Sequence, residues 1–368
     1  MQIPFVNLRL QYESIQKEID RAITEVFTKS QFVGGDVVKK FENEFAETYQ
    51  VNHCIGTGNG TDSLFIILKT LGIGAGDEII TPAFSCIASA EVISLTGAKV
   101  AFADVDINHY TIDTADVKRK ITSRTKAVIA VHLYGQAAPV SELKKICDAH
   151  NIFLIEDCAQ AHLTEESKKL AGTFGIAAAF SFYPTKNLGA YGDAGSILTP
   201  DDALAEKMRR IANHGTLKKD DHEFEGTNSR LDTLHAAILS IKLKYLQKWN
   251  ERRIQIANLY TSLLSHVPQV VAPNVRENTK HTFHIYSIRC QQRNALKEFL
   301  DSQGIATMIH YPKGMPYTKA YAYLNHKPED FPVTMRIQDQ LLSLPIFPEL
   351  QDEEVTRIAS NILNYFSR

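Results

Sequence analysis

A single lysine, Lys186, lies in a turn built from aromatic residues, proline and glycine, within the segment SFYPTKNLGAYGDAGSIL at 181–198. The short apolar run 177–182 precedes it. Lysine usually lies on a solvated helix face, so this residue is either an exposed loop charge or an amine that the fold holds in place. In an aromatic pocket the ammonium form is disfavoured, and the amine becomes a better nucleophile for a carbonyl group.

A glycine-rich segment, GTGNGTDSL at 56–64, could bind an anion. It completes neither common phosphate-loop pattern, because G-x-G-x-x-G requires a glycine where Thr61 stands and the P-loop requires Gly-Lys-Ser/Thr. It does contain a strand-to-helix turn, with Gly60 and Thr61 at the predicted helix start. Unpaired N–H groups and the helix dipole favour an anion there. The alternative is an ordinary turn in which Thr61 only caps the helix.

An aspartate, Asp157, follows the apolar strand of IFLIEDCAQAH at 152–162. It lies at the carboxyl end of that strand, where open parallel sheets bind ligands. Side chains alternate along a strand, so only one of Glu156 and Asp157 can face the crevice. The alternative is a structural acid that caps the following turn. Because Lys186 also follows a predicted strand, its amine and this carboxylate can share one crevice.

Segments typical of strands and helices alternate through the first two thirds of the chain and position these motifs. Apolar runs such as DEIITPAF and KAVIAVHLYG alternate with helical segments such as TDSLFIILKTLG and SELKKICDAHN. This order predicts an α/β fold with a mostly parallel sheet covered on both faces. A long helix is predicted over 231–264, followed by the strands HTFHIYSIRC and IATMIHY and further helices. We therefore expect a large domain, 1–248, and a small α+β domain, 249–368.

The composition argues against several classes of protein. In 368 residues, 40 Lys and Arg nearly balance 42 Asp and Glu, for a net charge of −2, which argues against a nucleic-acid or membrane-surface binder. No apolar stretch approaches the ~20 residues that cross a bilayer, and the first residues lack the layout of a signal peptide. Five scattered cysteines form no CxxC pair and predict neither disulfides nor a metal or iron–sulfur site. We expect a cytoplasmic protein.

An anion-binding helix start, a strand-end aspartate and a turn lysine, in this order along the chain, fit one cofactor, pyridoxal 5′-phosphate. Its phosphate requires the helix start. Its pyridine nitrogen requires a carboxylate that keeps it protonated, so that the ring can accept electrons. Its aldehyde requires a lysine with which it forms a Schiff base. Each motif alone has an ordinary structural explanation, but the three together indicate a cofactor site.

Nearly the whole chain, from IPFVNL to LSLPIF, resembles the DegT/DnrJ/EryC1/StrS family of nucleotide-sugar aminotransferases. Five segments carry the resemblance in family order: GNGTDSL, EDCAQAH, SFYPTKNLGAYGDAG, GTNSRLDTLHAAIL and HYP. The resemblance implies the aspartate-aminotransferase-like fold (PLP fold type I), with a large domain of mostly parallel sheet and a small carboxyl-terminal domain. It also implies an enzyme that uses pyridoxal 5′-phosphate.

The resemblance implies a role for each residue that would lie around the cofactor ring. Lys186 forms the Schiff base and shuttles protons, Asp157 pairs with the pyridine nitrogen, and Gln160 approaches the ring hydroxyl. Cys86 occupies a position at which relatives commonly carry an aromatic side chain that stacks on the ring. Cysteine can pack there as a small, soft group, but the stacking is lost, and Phe84 is the nearby aromatic residue that could replace it.

The resemblance assigns the phosphate to Gly60, Thr61 and Ser181 of the same subunit. Asn228, in GTNSRLD, would reach the phosphate of the neighbouring subunit's cofactor, so the active unit is expected to be a homodimer with shared active sites. The glycines that follow the turn lysine are expected to leave the backbone room around the cofactor. Without the resemblance, Asn228 would be interpreted as a turn residue.

Two residues of HYP, His310 and Tyr311, are expected near the substrate by the same resemblance. Relatives often carry a second histidine after this motif, whereas Pro316 lies near that position here, so the substrate contacts are expected to differ in detail. His235 replaces a glutamine that is usual in relatives, and we interpret it as a change in helix packing. Without the resemblance, the HYP pair would be interpreted as loop packing.

The resemblance also indicates the reaction. L-glutamate, the usual donor in the family, would give its amino group to the cofactor, which would pass it to a keto group of a nucleotide-linked sugar. The motifs around Lys186 favour C3 of a dTDP-linked 3-keto-6-deoxyhexose, and next a UDP-linked 3-keto sugar; the alternative is a C4 aminotransferase. Related dehydratases carry histidine in place of this lysine. A non-enzymatic regulatory protein with the same fold is the alternative of a different class.

Overall fold

The computed structural model describes residues 2–218 and 220–367. Its strands are β1 (His53–Thr57), β2 (Glu78–Pro82), β3 (Lys99–Ala103), β4 (Thr125–Val131), β5 (Phe153–Asp157), β6 (Glu165–Glu166), β7 (Lys169–Leu170), β8 (Ala177–Ser181), β9 (Gly195–Thr199), β10 (Thr279–Lys280), β11 (Tyr286–Arg289) and β12 (Leu341–Leu344). Its α-helices are α1 (Leu8–Lys29), α2 (Gly35–Tyr49), α3 (Gly60–Thr70), α4 (Ala88–Leu95), α5 (Thr114–Lys120), α6 (Val140–His150), α7 (Asp202–Ala212), α8 (Thr233–Leu264), α9 (Arg293–Ser302), α10 (Pro332–Ile337) and α11 (Asp352–Phe366). Within these described ranges, no helix combines the length and the apolar character needed to cross a bilayer.

Seven strands form the central sheet, in the order β1-β9-β8-β5-β4-β2-β3. The pairs from β8 through β5, β4 and β2 to β3 are parallel, whereas β9 runs antiparallel to both of its neighbours, β1 and β8. Parallel neighbours require crossover connections, and α4 lies in the connection from β2 to β3, whereas α6 lies in that from β4 to β5. The predicted α/β fold with a mostly parallel sheet is therefore confirmed.

Apolar side chains alternate between the two faces of the sheet, and each face has its own buried cluster. Ile79 and Ile155 pack on one face, together with side chains of α3 and α4. Their neighbours Ile80 and Leu154 pack on the other face, together with Leu143 of α6. Both faces are covered, which is why the strands appear in the sequence as nearly continuous apolar runs.

The long helix predicted over 231–264 is confirmed as α8. Its first half packs Leu239 and Leu246 in a cluster with Phe180 of β8. Its second half packs Ile256 and Tyr260 in a different cluster, which includes side chains of β11, β12 and α11. The predicted division of the chain near residue 248 falls inside this helix and stays a prediction.

Several side chains pack across the predicted division. Phe331 and Leu341, from the last part of the chain, lie in the same buried cluster as Phe102 of β3. Ile3 lies in the cluster of β11 and β12, and it pairs in parallel with Ile305. Residues from the first and last parts of the chain therefore share buried clusters.

Two predicted strands near the carboxyl end differ from the structure. HTFHIYSIRC, 281–290, forms a strand only over Tyr286–Arg289. IATMIHY, 305–311, was expected to be a strand, and this prediction is wrong. Ile305 pairs with Ile3, and Met308 pairs with Ser343, but both are isolated bridges. The segment touches two different partners at single positions, so no continuous ladder forms.

Candidate active site

A cavity of about 440 Å³ opens at the carboxyl ends of the parallel strands. Its wall includes Val131, Asp157 and Ser181, the last residues of β4, β5 and β8. This is the edge of the sheet at which ligands bind in open α/β folds. The sequence-predicted residues that line it are Gly60, Thr61, Cys86, Asp157, Gln160, Ser181 and Lys186.

The start of α3 forms one end of the cavity. Asn59 caps the helix, because its Oδ1 atom accepts a hydrogen bond from Asp62 N at 2.8 Å. Gly60 and Thr61 are the first residues of the helix, so their N–H groups have no intrahelical acceptor. A Cβ atom at Gly60 would lie 2.9 Å from Ser181 Cβ, so the helix start packs directly against the end of β8. These groups can surround one phosphate.

The two acids at the end of β5 face opposite sides, as strand alternation predicts. Asp157 lines the cavity, is 6% exposed, and accepts a hydrogen bond on Oδ1 from Ala159 N at 3.0 Å. Burial raises the pKa of this carboxyl group, whereas the Ala159 N–H and the amine of Lys186 act in the opposite direction. Among the described residues no donor is hydrogen-bonded to Oδ2, so this atom can accept from a ligand such as a protonated pyridine nitrogen.

Glu156 points to the other side of the sheet, into a buried network. It accepts hydrogen bonds from Gly172 N, Phe174 N and Gly175 N at 2.7, 2.7 and 2.8 Å, and it lies 3.1 Å from His132 Nε2. Burial by itself raises the pKa of Glu156, but the hydrogen bonds from His132, Gly172 and Gly175 outweigh it, and the net pKa is lowered. Glu156 is therefore an ionised structural residue that fixes the segment 172–175 to β5.

The possible ligand atoms of His132, Glu156 and Cys158 lie within 4.8 Å of one another, as in a metal site. His132 Nδ1 accepts a hydrogen bond from Ala138 N at 3.0 Å, so its Nε2 atom carries the hydrogen that faces Glu156. Burial holds the pKa of the Cys158 thiol well above its usual range. All three groups are therefore explained by contacts within the protein.

The turn that carries Lys186 is closed by backbone hydrogen bonds. Lys186 N donates to Tyr183 O at 2.8 Å, and Ala190 N donates to Phe182 O at 2.7 Å. Phe182 N in turn donates to Ala194 O at 2.7 Å, which joins the two ends of the loop. The lysine is thus attached to a small, closed loop between β8 and β9, and its side chain lines the cavity.

The surroundings of the Lys186 amine favour its neutral form. Burial lowers the pKa of Lys186, while nearby Cys86 and Asp157 act in the opposite direction. Burial, and secondarily this amine, lower the pKa of His162 to about 3 and that of His310 to about 4. Both imidazoles are neutral near pH 7 and add no positive charge beside the amine. These surroundings agree with an amine that the fold holds in the cavity, rather than with a solvated loop lysine.

The glycines of this turn lie where neighbouring protein atoms leave no space for a side chain. A Cβ atom would lie 2.4 Å from the carbonyl oxygen of Pro184 at Gly189, and 2.8 Å from His235 Cε1 at Gly192. At Gly195 it would lie 2.4 Å from the backbone before α3. The glycines therefore allow the turn to pack closely against neighbouring protein atoms, and their expected role around the cofactor stays a prediction. His235 packs on the turn from α8, as its interpretation as a packing residue predicts.

Gln160 connects the cavity wall to the predicted substrate residues. Its Oε1 atom accepts from Tyr134 N at 2.7 Å, and its Nε2 atom donates to Tyr311 Oη at 3.1 Å. Tyr134 Oη donates to the carbonyl oxygen of His310, whose Nδ1 atom lies 2.9 Å from Ser343 Oγ. His310 and Tyr311 are thus held directly behind Gln160. Their contact with a substrate stays a prediction.

Cys86 lines the cavity and is half-buried. Phe84, which could have replaced the missing aromatic side chain, is completely buried. Its ring meets that of Tyr311 edge-on, with centroids 6.4 Å apart and an interplanar angle of 64°. Phe84 therefore lies behind the wall and does not present a ring face to the cavity.

Sequence reasoning missed several wall residues that adjoin the recognised motifs. They include Asn59, Asp62, Ser85, Tyr183 and Asp193. Each lies near a predicted site residue in the sequence, so its closeness to a recognised motif was the signal that could have identified it as a wall residue. Their side-chain directions depend on how the turns close, which no local pattern specifies.

Asn228 is exposed, and among the described residues its side chain has no hydrogen-bond partner. The next residue, Ser229, is buried and bridges the glycine-rich turn: its Oγ atom accepts from Gly58 N at 2.9 Å and donates to Asp62 Oδ2 at 2.7 Å. Asn228 is thus held beside the start of α3 without lining the cavity of its own chain. Its predicted role toward a neighbouring subunit stays a prediction.

Comparison with known proteins agrees with this site. The model of the DegT/DnrJ/EryC1/StrS aminotransferase family matches residues 13–363. The chain is 43% identical to the pleiotropic regulatory protein of Geobacillus stearothermophilus, over 100% of this chain and 99% of that protein. It is also 43% identical to the dTDP-3-amino-3,6-dideoxy-alpha-D-galactopyranose transaminase of Aneurinibacillus thermoaerophilus, over 99% of each.

Solved structures give the same result. DesV from S. venezuelae, in complex with a ketimine intermediate, superposes with a TM-score of 0.97 at 38% identity, covering 100% of this chain and 99% of that one. NtdA from Bacillus subtilis, with bound cofactor PMP, superposes with a TM-score of 0.92 at 27% identity, covering 100% of this chain and 86% of that one. The fold, the cofactor and the enzyme class implied by the sequence motifs are confirmed. The chain belongs to the DegT/DnrJ/EryC1/StrS aminotransferase family and is a sugar aminotransferase that depends on pyridoxal 5′-phosphate.

Proposed function

We propose that this enzyme transfers the amino group of L-glutamate to the C3 keto group of a dTDP-linked keto-deoxy sugar, for a surface polysaccharide or a secondary metabolite. The observation that carries the proposal is the meeting of the α3 start, Asp157 and Lys186 in one cavity. Pyridoxal 5′-phosphate, when bound, supplies an aldehyde and an electron-accepting ring. The free N–H groups at Gly60 and Thr61 and the free Oδ2 atom of Asp157 fit its phosphate and its pyridine nitrogen.

Lys186 is the catalytic residue in this proposal. Its Nζ atom would hold the aldehyde in the resting enzyme, and when freed it would take the proton from Cα of L-glutamate. In the second half of the reaction the same atom, then protonated, would deliver a proton to C3 of the sugar. Holding the aldehyde and taking the proton both need the neutral amine, which the lowered pKa of Lys186 favours, whereas delivering a proton needs the ammonium form that proton uptake produces. The closed turn confines the amine close to the reacting carbon.

Asp157 and the residues around it hold the ring. Asp157 Oδ2 would accept a hydrogen bond from the protonated pyridine nitrogen, and this positive charge would keep the buried carboxylate ionised. Gln160 is fixed by Tyr134 and Tyr311, so its amide has one direction in which to meet the ring hydroxyl. Cys86 contributes a small wall at the ring face.

The phosphate site is proposed to be completed in a homodimer. Gly60, Thr61 and Ser181 line the cavity and would hold the phosphate on one side. The side chain of Asn228 is exposed and makes no hydrogen bond to described residues, and Ser229 fixes the adjacent backbone close to the α3 start. These observations support a contact from Asn228 to the cofactor phosphate of the neighbouring subunit.

The choice of C3 depends on the motifs around Lys186 and on the names of relatives. The Aneurinibacillus relative is a dTDP-3-amino sugar transaminase, and it covers nearly the whole chain. We therefore rank a dTDP-linked 3-keto sugar first, a UDP-linked 3-keto sugar second and a 4-keto sugar third. His310 and Tyr311, which lie behind Gln160, are proposed to contact the sugar.

Two measurements on the purified protein test this proposal. In the first, pyridoxal 5′-phosphate is added, borohydride fixes any covalent adduct, and peptide mass spectrometry locates it. We expect the adduct on Lys186, none in Lys186→Ala, and an unchanged yield in Lys39→Ala, which removes an exposed lysine. In the second, L-glutamate is supplied with dTDP-3-keto, UDP-3-keto or dTDP-4-keto sugars, and the products are identified.

The outcomes separate the parts of the proposal. A 3-amino dTDP sugar formed together with 2-oxoglutarate supports it in full. A 4-amino product alone overturns the C3 assignment, and a UDP product alone overturns the choice of nucleotide. Absence of any adduct in the wild-type protein overturns the catalytic role of Lys186 and favours the regulatory alternative.

A further inference from the structure

A second lysine, Lys242, is attached to the turn that carries Lys186. It lies on α8, is 0% exposed, and its Nζ atom donates a hydrogen bond to Gly189 O at 2.7 Å. The same atom lies over the ring of Tyr191, 4.0 Å from its centroid. Gly189 and Tyr191 both belong to the closed loop between β8 and β9, so one buried amine contacts the loop at two points.

The burial of the Lys242 amine costs free energy, so its presence in the core needs an explanation. Burial lowers the pKa of Lys242 to about 7, and the carboxylate of Glu349 opposes this shift. Moving an amine out of water costs free energy that one hydrogen bond and one ring contact only partly offset. A methionine would fill nearly the same space without that cost. The packing of the core therefore does not by itself account for a lysine here.

The contacts of Lys242 restrict the part of the loop that determines where Lys186 points. Gly189 lies three residues after the catalytic lysine and has no space for a Cβ atom, because the carbonyl oxygen of Pro184 would lie 2.4 Å from it. The loop is thus compact, so a displacement of Gly189 would also displace Lys186. On the other side, Asn187 Nδ2 donates to Asn250 Oδ1 of the same helix at 2.8 Å.

We propose that Lys242 is a positioning residue for Lys186: by holding Gly189 O and Tyr191 against α8, it fixes the turn from which the catalytic amine reaches the cofactor. This inference rests on the proposed function of Lys186. Lys242 touches neither the cavity nor its ligand and acts through the loop. Removal of its contacts should slow the chemistry of Lys186 and leave the binding of the cofactor's phosphate and ring intact.

The experiment compares Lys242→Met with Lys248→Met, which removes an exposed lysine from the same helix. The first measurement is the rate at which added pyridoxal 5′-phosphate becomes attached to Lys186, followed by absorbance and confirmed by borohydride trapping. The second is the affinity for pyridoxine 5′-phosphate, which lacks the aldehyde and reports on the cavity alone. The third is hydrogen–deuterium exchange of the peptide 183–192.

In Lys242→Met we expect attachment to slow by about tenfold, because a displaced reactive group loses its alignment. We expect the affinity for pyridoxine 5′-phosphate to stay within about twofold and exchange to accelerate only in 183–192. Lys248→Met should match the wild-type protein in all three measurements. Tyr191→Leu, at a position that is 37% exposed, loosens the same contact from outside the core and should slow attachment in the same direction. If Lys242→Met does not fold, this variant decides the question.

A wild-type rate of attachment in Lys242→Met overturns the inference whatever the exchange shows. Equal losses in attachment and in pyridoxine 5′-phosphate affinity, with faster exchange along the whole chain, also overturn it, because they indicate an ordinary core residue. If the wild-type protein itself forms no adduct at Lys186, the proposed function has failed, and this inference fails with it.

Discussion

Both carboxylate oxygens of Glu156 accept hydrogen bonds from segments outside its own strand. Phe174 N and Gly175 N meet Oε1, whereas Gly172 N and His132 Nε2 meet Oε2. The sequence predicted that the adjacent Asp157 faces the cavity, because strand alternation and the end of a strand are local features. The donors to Glu156 could not be predicted, because they come from a later loop with no recognisable pattern.

Glu156→Gln is expected to lower the free energy of unfolding at pH 7 by about 3 kcal/mol, because the new NH₂ group faces donors and the charge is lost. The pKa of Glu156 is lowered from its usual 4.5, so its stabilising contribution is complete above that pH and is lost as the pH falls through the folded-state pKa. The difference in the free energy of unfolding between Glu156→Gln and the wild-type protein should therefore become smaller below pH 4.5. Denaturant unfolding at several pH values measures it.

Glu47→Gln, on an exposed position of α2, is the matched control and should change stability by less than about 0.5 kcal/mol at every pH. Equal stability of Glu156→Gln and the wild-type protein at pH 7 would contradict this account. A difference that stays constant into the acid range would contradict the assigned pKa direction.

Among the elements, α8 joins segments that are distant in sequence. Its apolar spacing predicted the helix, but three of its buried polar residues donate to carbonyl oxygens elsewhere: Lys242 to Gly189 O, Asn250 to His162 O and Arg253 to Ile346 O. Lysine and arginine in a helix normally indicate an exposed face. Sequence reasoning could not predict these contacts, because the acceptors are backbone atoms of distant loops and leave no trace in composition.

The short helix α10 is capped by a residue from the central sheet. Asp104, which follows β3, accepts hydrogen bonds from Val333 N at 2.9 Å, Thr334 N at 2.9 Å and Thr334 Oγ1 at 2.7 Å. First-turn N–H groups have no intrahelical partner, so this carboxylate replaces the usual local cap. It also holds the segment after HYP on the large sheet.

Asp104→Asn is expected to destabilise the protein by about 2 kcal/mol, because an amide keeps one acceptor and turns donors toward the helix start. Exchange of backbone hydrogens in 331–340 should accelerate more than elsewhere, which hydrogen–deuterium exchange measures peptide by peptide. Asp339→Asn, at an exposed position just after α10, is the control and should leave exchange unchanged. Uniform acceleration along the chain would show that the carboxylate does not act on α10 specifically.

At the scale of the whole molecule, the order of the elements was predictable and their long-range packing was not. The sheet and α8 follow from local periodicity, and most of the cavity wall follows from the motifs at strand ends. The contact of Phe331 with the cluster of Phe102 crosses most of the chain and has no local signature. Contacts between subunits also have no local signature in the sequence, so the proposed sharing of the active site is tested by experiment.

Mixed dimers test whether the site is shared. Lys186→Ala subunits cannot form the adduct, and Asn228→Ala subunits alone should form it slowly, because the phosphate loses its contact from the neighbour. Random mixing after reversible dissociation gives half mixed dimers, each with one intact site, so adduct formation should recover to about a quarter of the wild-type level. Borohydride trapping measures the recovery.

The stability of Asn228→Ala subunits should equal that of the wild-type protein, because the side chain is exposed and makes no hydrogen bond to described residues. No recovery on mixing would indicate that each subunit builds its phosphate site alone. Full activity of Asn228→Ala by itself would remove Asn228 from the site.

The pairing of Ile3 with Ile305 affects the order of events during synthesis. Ile3 N donates to Gly304 O at 2.8 Å, and Ala306 N donates to Ile3 O at 3.0 Å. A growing chain emerges amino end first, so Ile3 leaves the ribosome long before its partner exists. The central sheet can assemble in that interval, but the last apolar cluster cannot close around Ile3 until its distant partner has been translated. Completion of the fold is therefore a late event, separated from the formation of the sheet by the time needed to translate the intervening chain.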